Sequence, residues 1–238
     1  MHSTKSSNTL NKDLAFKGQP VRILHVVGGM NPGGIETWLM HILRNIDRQQ
    51  FQIDFLVHTT EACAYDEEIL ALGSRIIACT SPSLKWWIYN TNFSRILKHN
   101  GNYDIVHSHV HHFSGYILRL AKLAGVPVRI AHSHNDTSSA EARAGLKRKA
   151  YIALMKRLIA RYATLGLAAS QDAAVDLFGD CWKSDSRRQL LYCGLDLKPF
   201  QAQIDTCNIR RKLGIPADAF VIGHVGRFET QKNHQCKG

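Results

Sequence analysis

The chain is 238 residues long, 45% hydrophobic and 21% charged, and carries a formal net charge of +11 at pH 7. That length holds one full domain and a piece of a second, and no window approaches the ~20 apolar residues that a membrane-spanning helix needs. The basic excess selects anionic partners: phosphorylated substrates, an anionic membrane surface or nucleic acid.

Residues 1–20 are polar, lack the apolar core of a signal peptide and are expected to form a disordered leader. A cytoplasmic protein is the expectation, peripheral at most on the inner face of the plasma membrane. Cysteines 63, 79, 181, 193, 207 and 236 form no CxxC pair, so reduced core thiols are expected.

Residues 21–27 (VRILHVV) form a short β-branched run, as a buried parallel strand does. The run breaks into a loop containing Gly28, Gly29, Gly33 and Gly34, after which Ile35, Leu39, Ile42 and Leu43 recur at helical spacing. A strand, a glycine loop and a helix N-terminus make an anion site. The glycines do not fit the GxGxxG dinucleotide fingerprint, and Ile35 stands where a Walker A loop needs lysine. Glu36, in the first helical turn, suits the helix dipole.

Strands are expected at 51–58, 74–79, 103–107 and 128–132, with helices at 65–72, 84–99 and 116–124 between them. This alternation predicts an α/β fold with a doubly wound parallel sheet, whose ligands bind beyond the carboxyl ends of the strands. Residues 135–145 read as a polar loop, and 146–163 as a long helix burying Tyr151, Leu154, Met155, Leu158 and Tyr162. Segments 165–169, 171–178 and 189–192 continue the alternation. A turn follows at 193–200, a short helix at 208–213 and a buried strand at 220–225 (FVIGHV).

Histidine is the compositional anomaly. His107, His109, His111 and His112 fall in HSHVHH at the end of one strand, and His132 and His134 in HSH at the end of the next. Residues two apart on a strand share a face, so the two groups can converge. Three readings stand. One is a metal cage at HxH spacing, close to the HxHxDH pattern of binuclear metallohydrolases but with His111 in place of the aspartate. The second is polar substrate contact with one general base, and the third a set of hydrogen-bonded histidines at strand ends.

Arg143, Lys147, Arg148 and Lys149 form a basic cluster suited to anionic lipid or acceptor phosphate. The 84–99 helix carries Trp86, Trp87, Tyr89 and Phe93, which suits core packing for most of them and a membrane surface for the rest. No aromatic–basic repeat suggests stacking on bases, so nucleic acid is not an expected partner. Arg227 and Lys232, in GRFETQKNH, are two cations suited to a diphosphate.

Five segments, in this order, carry a resemblance: HVVGGMNPGGIE, YDIVHSHVHHFSG, VPVRIAHSHND, LYCGLDLKPF and IGHVGRFETQKNH. The chain resembles family 4 glycosyltransferases of the two-Rossmann-domain (GT-B) type, most of all bacterial enzymes of exopolysaccharide and capsule synthesis. The resemblance implies a Rossmann-like acceptor-side domain over 21–200. Residues 201–238 would be a linker and the first strand of a truncated nucleotide-sugar-binding domain.

It also implies retaining transfer from a nucleotide-sugar to a saccharide or lipid-linked acceptor, as in hexosyltransferases, with no cofactor and no metal. On that pattern Gly33 and Gly34 lie by the donor diphosphate, and Arg227 and Lys232 neutralise its developing charge. His134 stands beside the transferred sugar as the catalytic residue, with His132 the alternative, and Glu36, His107 and His109 line the acceptor side. Cys193 replaces the family's usual hinge asparagine, and the Glu-x7-Glu stretch of the second domain is not in the sequence. This chain alone is therefore expected to show little or no transferase activity. The competing expectation is a metal-dependent hydrolase built on His107, His109, His132 and His134.

Overall fold

Among the described residues seven strands form one sheet: β1 (Val21–Val27), β2 (Phe51–Val57), β3 (Ile76–Ala78), β4 (Ile105–Ser108), β5 (Val128–Ser133), β6 (Leu165–Ala168) and β7 (Arg188–Leu190). The computed structural model describes residues 19–79, 86–201, 205–224 and 226. Every neighbouring pair is parallel, so every connection must cross over, and each does so through a helix. The connecting helices are α1 (Gly34–Asn45), α2 (Asp66–Ala71), α3 (Trp86–His99), α4 (Ser114–Leu123), α5 (Ser138–Ala142), α6 (Leu146–Tyr162) and α7 (Gln171–Phe178).

The spatial order β3-β2-β1-β4-β5-β6-β7 runs outward from β1 in both directions. The order reverses between β1 and β4, and such a switch point opens a crevice at the carboxyl ends of the strands. Alternating side chains give the sheet two buried faces. On one, Val27, Ile53, Phe55 and Val57 pack against Trp38, Leu39, Met40 and Leu43 of α1. On the other, Leu24, Val26, Leu56, Val106 and Ala131 pack against Tyr89 and Phe93 of α3, Ile117 and Leu118 of α4 and Ile159 of α6.

Four sequence expectations are corrected. The polar segment 135–145 contains the helical turn α5. The buried face of α6 is Ile152, Met155 and Ile159, while Leu154 is 53% exposed. The face follows α4, where the absent side chain of Gly115 admits the Met155 carbonyl; a Cβ there would strike it. Residues 220–224 form no strand, and Phe220 and Ile222 are 91% and 84% exposed. A strand needs a ladder partner, and among the described residues these have none; Val225 lies outside them. Cys63 and Cys79 are buried, but Cys181, Cys193 and Cys207 are exposed free thiols.

The chain divides into two units, Met1–Leu195 and Asp196–Gly238. The second contains α8 (Lys198–Gln201) and α9 (Thr206–Lys212). Asp205 caps α9 by accepting the Asn208 amide at 3.1 Å, as an N-cap carboxylate does.

Candidate functional site

Strand register brings five imidazoles together. His25 on β1 is the register partner of His107 on β4, and His107 in turn pairs with Ile130 on β5. His132 follows Ile130 by two and so shares its face with His107; His109 and His134 continue the same rows just past the strands. His25 Nδ1 lies 2.9 Å from His109 Nε2, and His109 Nδ1 lies 2.9 Å from His134 Nε2. His107 Nε2 lies 3.2 Å from His132 Nδ1. Trp38 of α1 covers the group, edge-on to His132 with ring centroids 5.4 Å apart.

Burial keeps these rings neutral. It lowers the His25 pKa to about 3 and, with His134 and His25 adding to it, the His132 pKa to about 2. His134, half-buried at the rim, is held at about 4 by burial and by nearby His111. His107 and His109 are pushed well below the ordinary value by burial and by the surrounding histidines. A neutral imidazole has one donor and one acceptor nitrogen, so His109, bonded on both sides, ties its tautomer to those of His25 and His134. His132 is fully buried and its Nε2 has no hydrogen-bond partner.

His109 and His134 open onto a cleft of about 420 Å³ that Ile35, Glu141 and Arg148 also line. The mouth of the cleft therefore lies between the start of α1 and the loop after β5. His107 and His132 stand behind it. The HSHVHH run does not stay together: His111 has φ +50, and the chain turns there. His112 Nδ1 then lies 3.1 Å from Glu141, and His111 Nε2 3.2 Å from Asp176. Burial, with His111 adding to it, holds His112 at about pKa 3. Asp176 also accepts the Thr137 amide and hydroxyl, at 2.8 and 2.9 Å.

In the glycine loop, Gly33 is the N-cap of α1 in extended conformation and makes no side-chain cap bond. The Glu36 carboxylate folds back over Gly33, where a Cβ would collide with it; this is the N3 position of a capping box. Glu36, expected on the acceptor side, is thus turned toward the loop. Gly34 is open, with nothing within 4 Å of an added Cβ. Asn31 pins the loop by accepting the Ala64 amide at 2.9 Å. Arg227 and Lys232 lie outside the described residues.

The sequence reading missed His25 and Trp38. His25 is a single histidine in an apolar strand, and only its register with His107 reveals its partners. Trp38 reads from sequence as one more apolar position of an amphipathic helix. Among the described residues three groups could hold a metal ion: His25/His107/His109, His109/His132/His134 and His111/His112/Glu141. The first two contain no carboxylate, so neither offers the bridging ligand of a binuclear hydrolase centre.

Comparison with known proteins agrees with this fold. EpsF of Bacillus subtilis (strain 168), named a glycosyltransferase, is 39% identical over 215 residues, which cover 90% of this chain and 56% of EpsF. The capsular polysaccharide biosynthesis glycosyltransferase CapH of Staphylococcus aureus is 26% identical over 213 residues, 90% of this chain and 55% of CapH. The chain thus spans about half the length of the curated relatives it matches. The crystal structure of Anabaena HepE in complex with UDP superposes with a TM-score of 0.61 at 18% identity, over 81% of this chain and 50% of HepE. The profile of Glycosyltransferase Family 4 matches residues 32–198, and the chain belongs to that family.

Proposed function

We infer that the chain supplies the acceptor-side half of a retaining glycosyltransferase. Its donor is a nucleotide-sugar, and its acceptor a saccharide or lipid-linked glycan of surface-polysaccharide synthesis. The observation that carries this reading is the position of His134: a neutral, half-buried imidazole at the mouth of a cleft whose other wall begins at Ile35, on the first turn of α1. The name of CapH and the UDP bound to HepE point the same way.

The transfer breaks the bond between the anomeric carbon and the donor diphosphate, which leaves with the electron pair. It forms a bond from that carbon to the acceptor oxygen, whose proton passes to the departing diphosphate. Amides of the first turn of α1, which begins at Gly34, suit that developing charge. His134 has Nε2 engaged by His109, which leaves Nδ1 to meet a sugar hydroxyl. His132, fully buried under Trp38, is the poorer candidate for that contact. On this reading His109 borders the acceptor, His107 supports it from behind, and Arg227 and Lys232 serve the diphosphate.

The same half carries a surface suited to an anionic membrane on the cytoplasmic side. Trp87 and Ile88 are 66% and 42% exposed at the start of α3. Trp86 packs on Tyr116 and Tyr151, and Arg148 lies over Tyr151. Exposed Arg143, Lys147 and Lys149 stand on and beside the same end of α6, and aromatic rings beside cations suit an interface. No helix among the described residues is long and apolar enough to cross a membrane.

The test is a chimera that joins this chain to the C-terminal half of EpsF, assayed for nucleoside diphosphate release. His134→Ala should lower turnover about a hundredfold or more, while His41→Ala leaves it unchanged. Turnover of the His134→Ala chimera within threefold of the parent would remove His134 from the reaction.

A further inference from the structure

We propose that His109, His132 and His134 form a site for one divalent cation of the zinc class, open to the cleft at its fourth position. One ring nitrogen from each lies within 4.8 Å of the other two. An ion bonded to each at about 2.0–2.1 Å closes that span with small side-chain shifts. Among the described residues the fully buried His132 Nε2 has no hydrogen-bond partner, and such atoms call for an explanation. An ion here would satisfy it.

The outer contacts are those a ligating set requires. His132 bound through Nε2 keeps its proton on Nδ1, which faces His107 Nε2 at 3.2 Å. His109 bound through Nδ1 keeps its proton on Nε2, which faces His25 Nδ1 at 2.9 Å. Second histidines thus fix the tautomer of each buried ligand, as second-shell groups do in metal sites. His134 now meets His109 Nδ1 through Nε2; on binding, its proton moves to Nδ1 at the cleft and Nε2 becomes the third ligand. Because burial already holds these rings neutral, the three ligands bind the ion at neutral pH without releasing a proton.

Three imidazoles and no carboxylate favour zinc, nickel or copper over magnesium or calcium. The deeper trio His25/His107/His109 shares His109, so one ion excludes a second. The site shares His134 with the transfer chemistry proposed above. With Nε2 on the ion, Nδ1 carries the proton and is left a donor only, so an occupied site cannot accept a sugar hydroxyl proton there and occupancy opposes transfer.

Trp38 provides a readout apart from activity, since its ring centroid lies 5.4 Å from His132, 5.9 Å from His134 and 6.2 Å from His109. The metal-free 238-residue chain is titrated at pH 7.5 with Zn²⁺ by calorimetry and with Ni²⁺ by tryptophan fluorescence. The expected result is one equivalent bound with Kd of about 10 µM or tighter and saturable quenching by Ni²⁺. Trp38→Phe should abolish the quench and keep the stoichiometry. His134→Ala, or His134→Gln if the alanine variant loses its circular dichroism, should weaken binding at least tenfold. His107→Phe should weaken it about 10–100-fold through the outer contact, and His111→Ala should change neither signal. The proposal is overturned by an absence of saturable binding. It is equally overturned by binding that survives His134→Ala but not His111→Ala, which would place the ion at His111/His112/Glu141, or by quenching that persists in Trp38→Phe.

Discussion

His25 and His107 stand opposite one another as register partners on β1 and β4, with ring centroids 5.0 Å apart, where the strand order of the sheet reverses. A doubly wound sheet binds its ligand at this point, and here the sheet lines the approach with imidazoles instead of aliphatic side chains. Next to them in the same row, His25 stacks on Phe55 at 5.8 Å. The polar surface of the crevice is therefore continuous with the apolar core, and it is kept uncharged by the same burial that stabilises that core.

Neutral buried histidines make stability depend on mildly acidic pH. Folded His25, His112, His132, His58 and His134 hold pKa values of about 3, 3, 2, 4 and 4, each lowered chiefly by burial. Below about pH 6.5 the unfolded chain takes up protons that these folded side chains refuse. Stability therefore falls as pH falls, by about 1.4 kcal/mol per pH unit for each histidine still neutral in the fold. Urea midpoints should be flat from pH 8 to 7 and drop steeply from 6.5 to 5, above the range where carboxylates titrate. A midpoint that stays level down to pH 5 would show that the rings are hydrated in the folded state.

Asp54 is a second buried polar centre, on the opposite face of the sheet. It accepts the Arg75 amide at 3.0 Å, Arg75 Nη2 at 2.7 Å and the Tyr103 hydroxyl at 2.8 Å. Burial pushes its pKa up, but the bonds from Arg75 and Tyr103 outweigh it, and the carboxyl sits below its ordinary value. Asp54→Ala leaves the Tyr103 hydroxyl and the Arg75 amide without an acceptor, while the Arg75 head, 41% exposed, returns to water. The expected loss is about 2–4 kcal/mol in urea unfolding at pH 7, with part restored in Asp54→Asn. A loss below about 1 kcal/mol would mean that water replaces the carboxylate there.

The strands were legible because the sequence writes them as short β-branched runs between glycines and prolines; β1 and β5 begin where such runs begin. The presence of α6 was equally legible. Its buried face was not, because Tyr151, Leu154 and Leu158 offer an apolar stripe as good as Ile152, Met155 and Ile159, and the choice belongs to Gly115 on α4. Among the histidines, HxH spacing pointed to the right pairs, but convergence with His25 is a fact of strand register. The separation of His111 and His112 from His109 is a fact of one backbone turn. Residues 220–224 have a strand's composition without a strand's partner among the described residues, and pairing is not written in composition.

The α4–α6 contact yields a packing prediction. A Cβ at Gly115 would collide with the Met155 carbonyl and lie 3.1 Å from Leu158 Cβ, and the carbonyl belongs to a helix backbone that cannot turn aside. Gly115→Ala should therefore cost about 1–3 kcal/mol, against the gain that alanine normally brings to a helix. Chemical denaturation of the variant at pH 7.5 checks the sign. Unchanged or raised stability would show that α6 shifts freely over α4.

Trp38 joins core to site, because it belongs to the apolar cluster between α1 and the sheet and its ring also borders His109, His132 and His134. Trp38→Ala should cost about 3–5 kcal/mol as a core cavity, and Trp38→Phe less, since a smaller ring still fills part of the space. The two variants differ more sharply in the histidines. Water entering the alanine cavity weakens the burial that holds His132 at about 2 and His134 at about 4, so both should move up toward the ordinary histidine value of about 6.5. Imidazole proton shifts followed by NMR from pH 8 to 5 should then show added rings titrating in Trp38→Ala and none in Trp38→Phe. Because the rise narrows the gap to the unfolded value, the alanine variant should also lose less stability than the parent between pH 6.5 and 5. Identical titration curves in the two variants would mean that the strands, and not Trp38, keep water from the imidazoles.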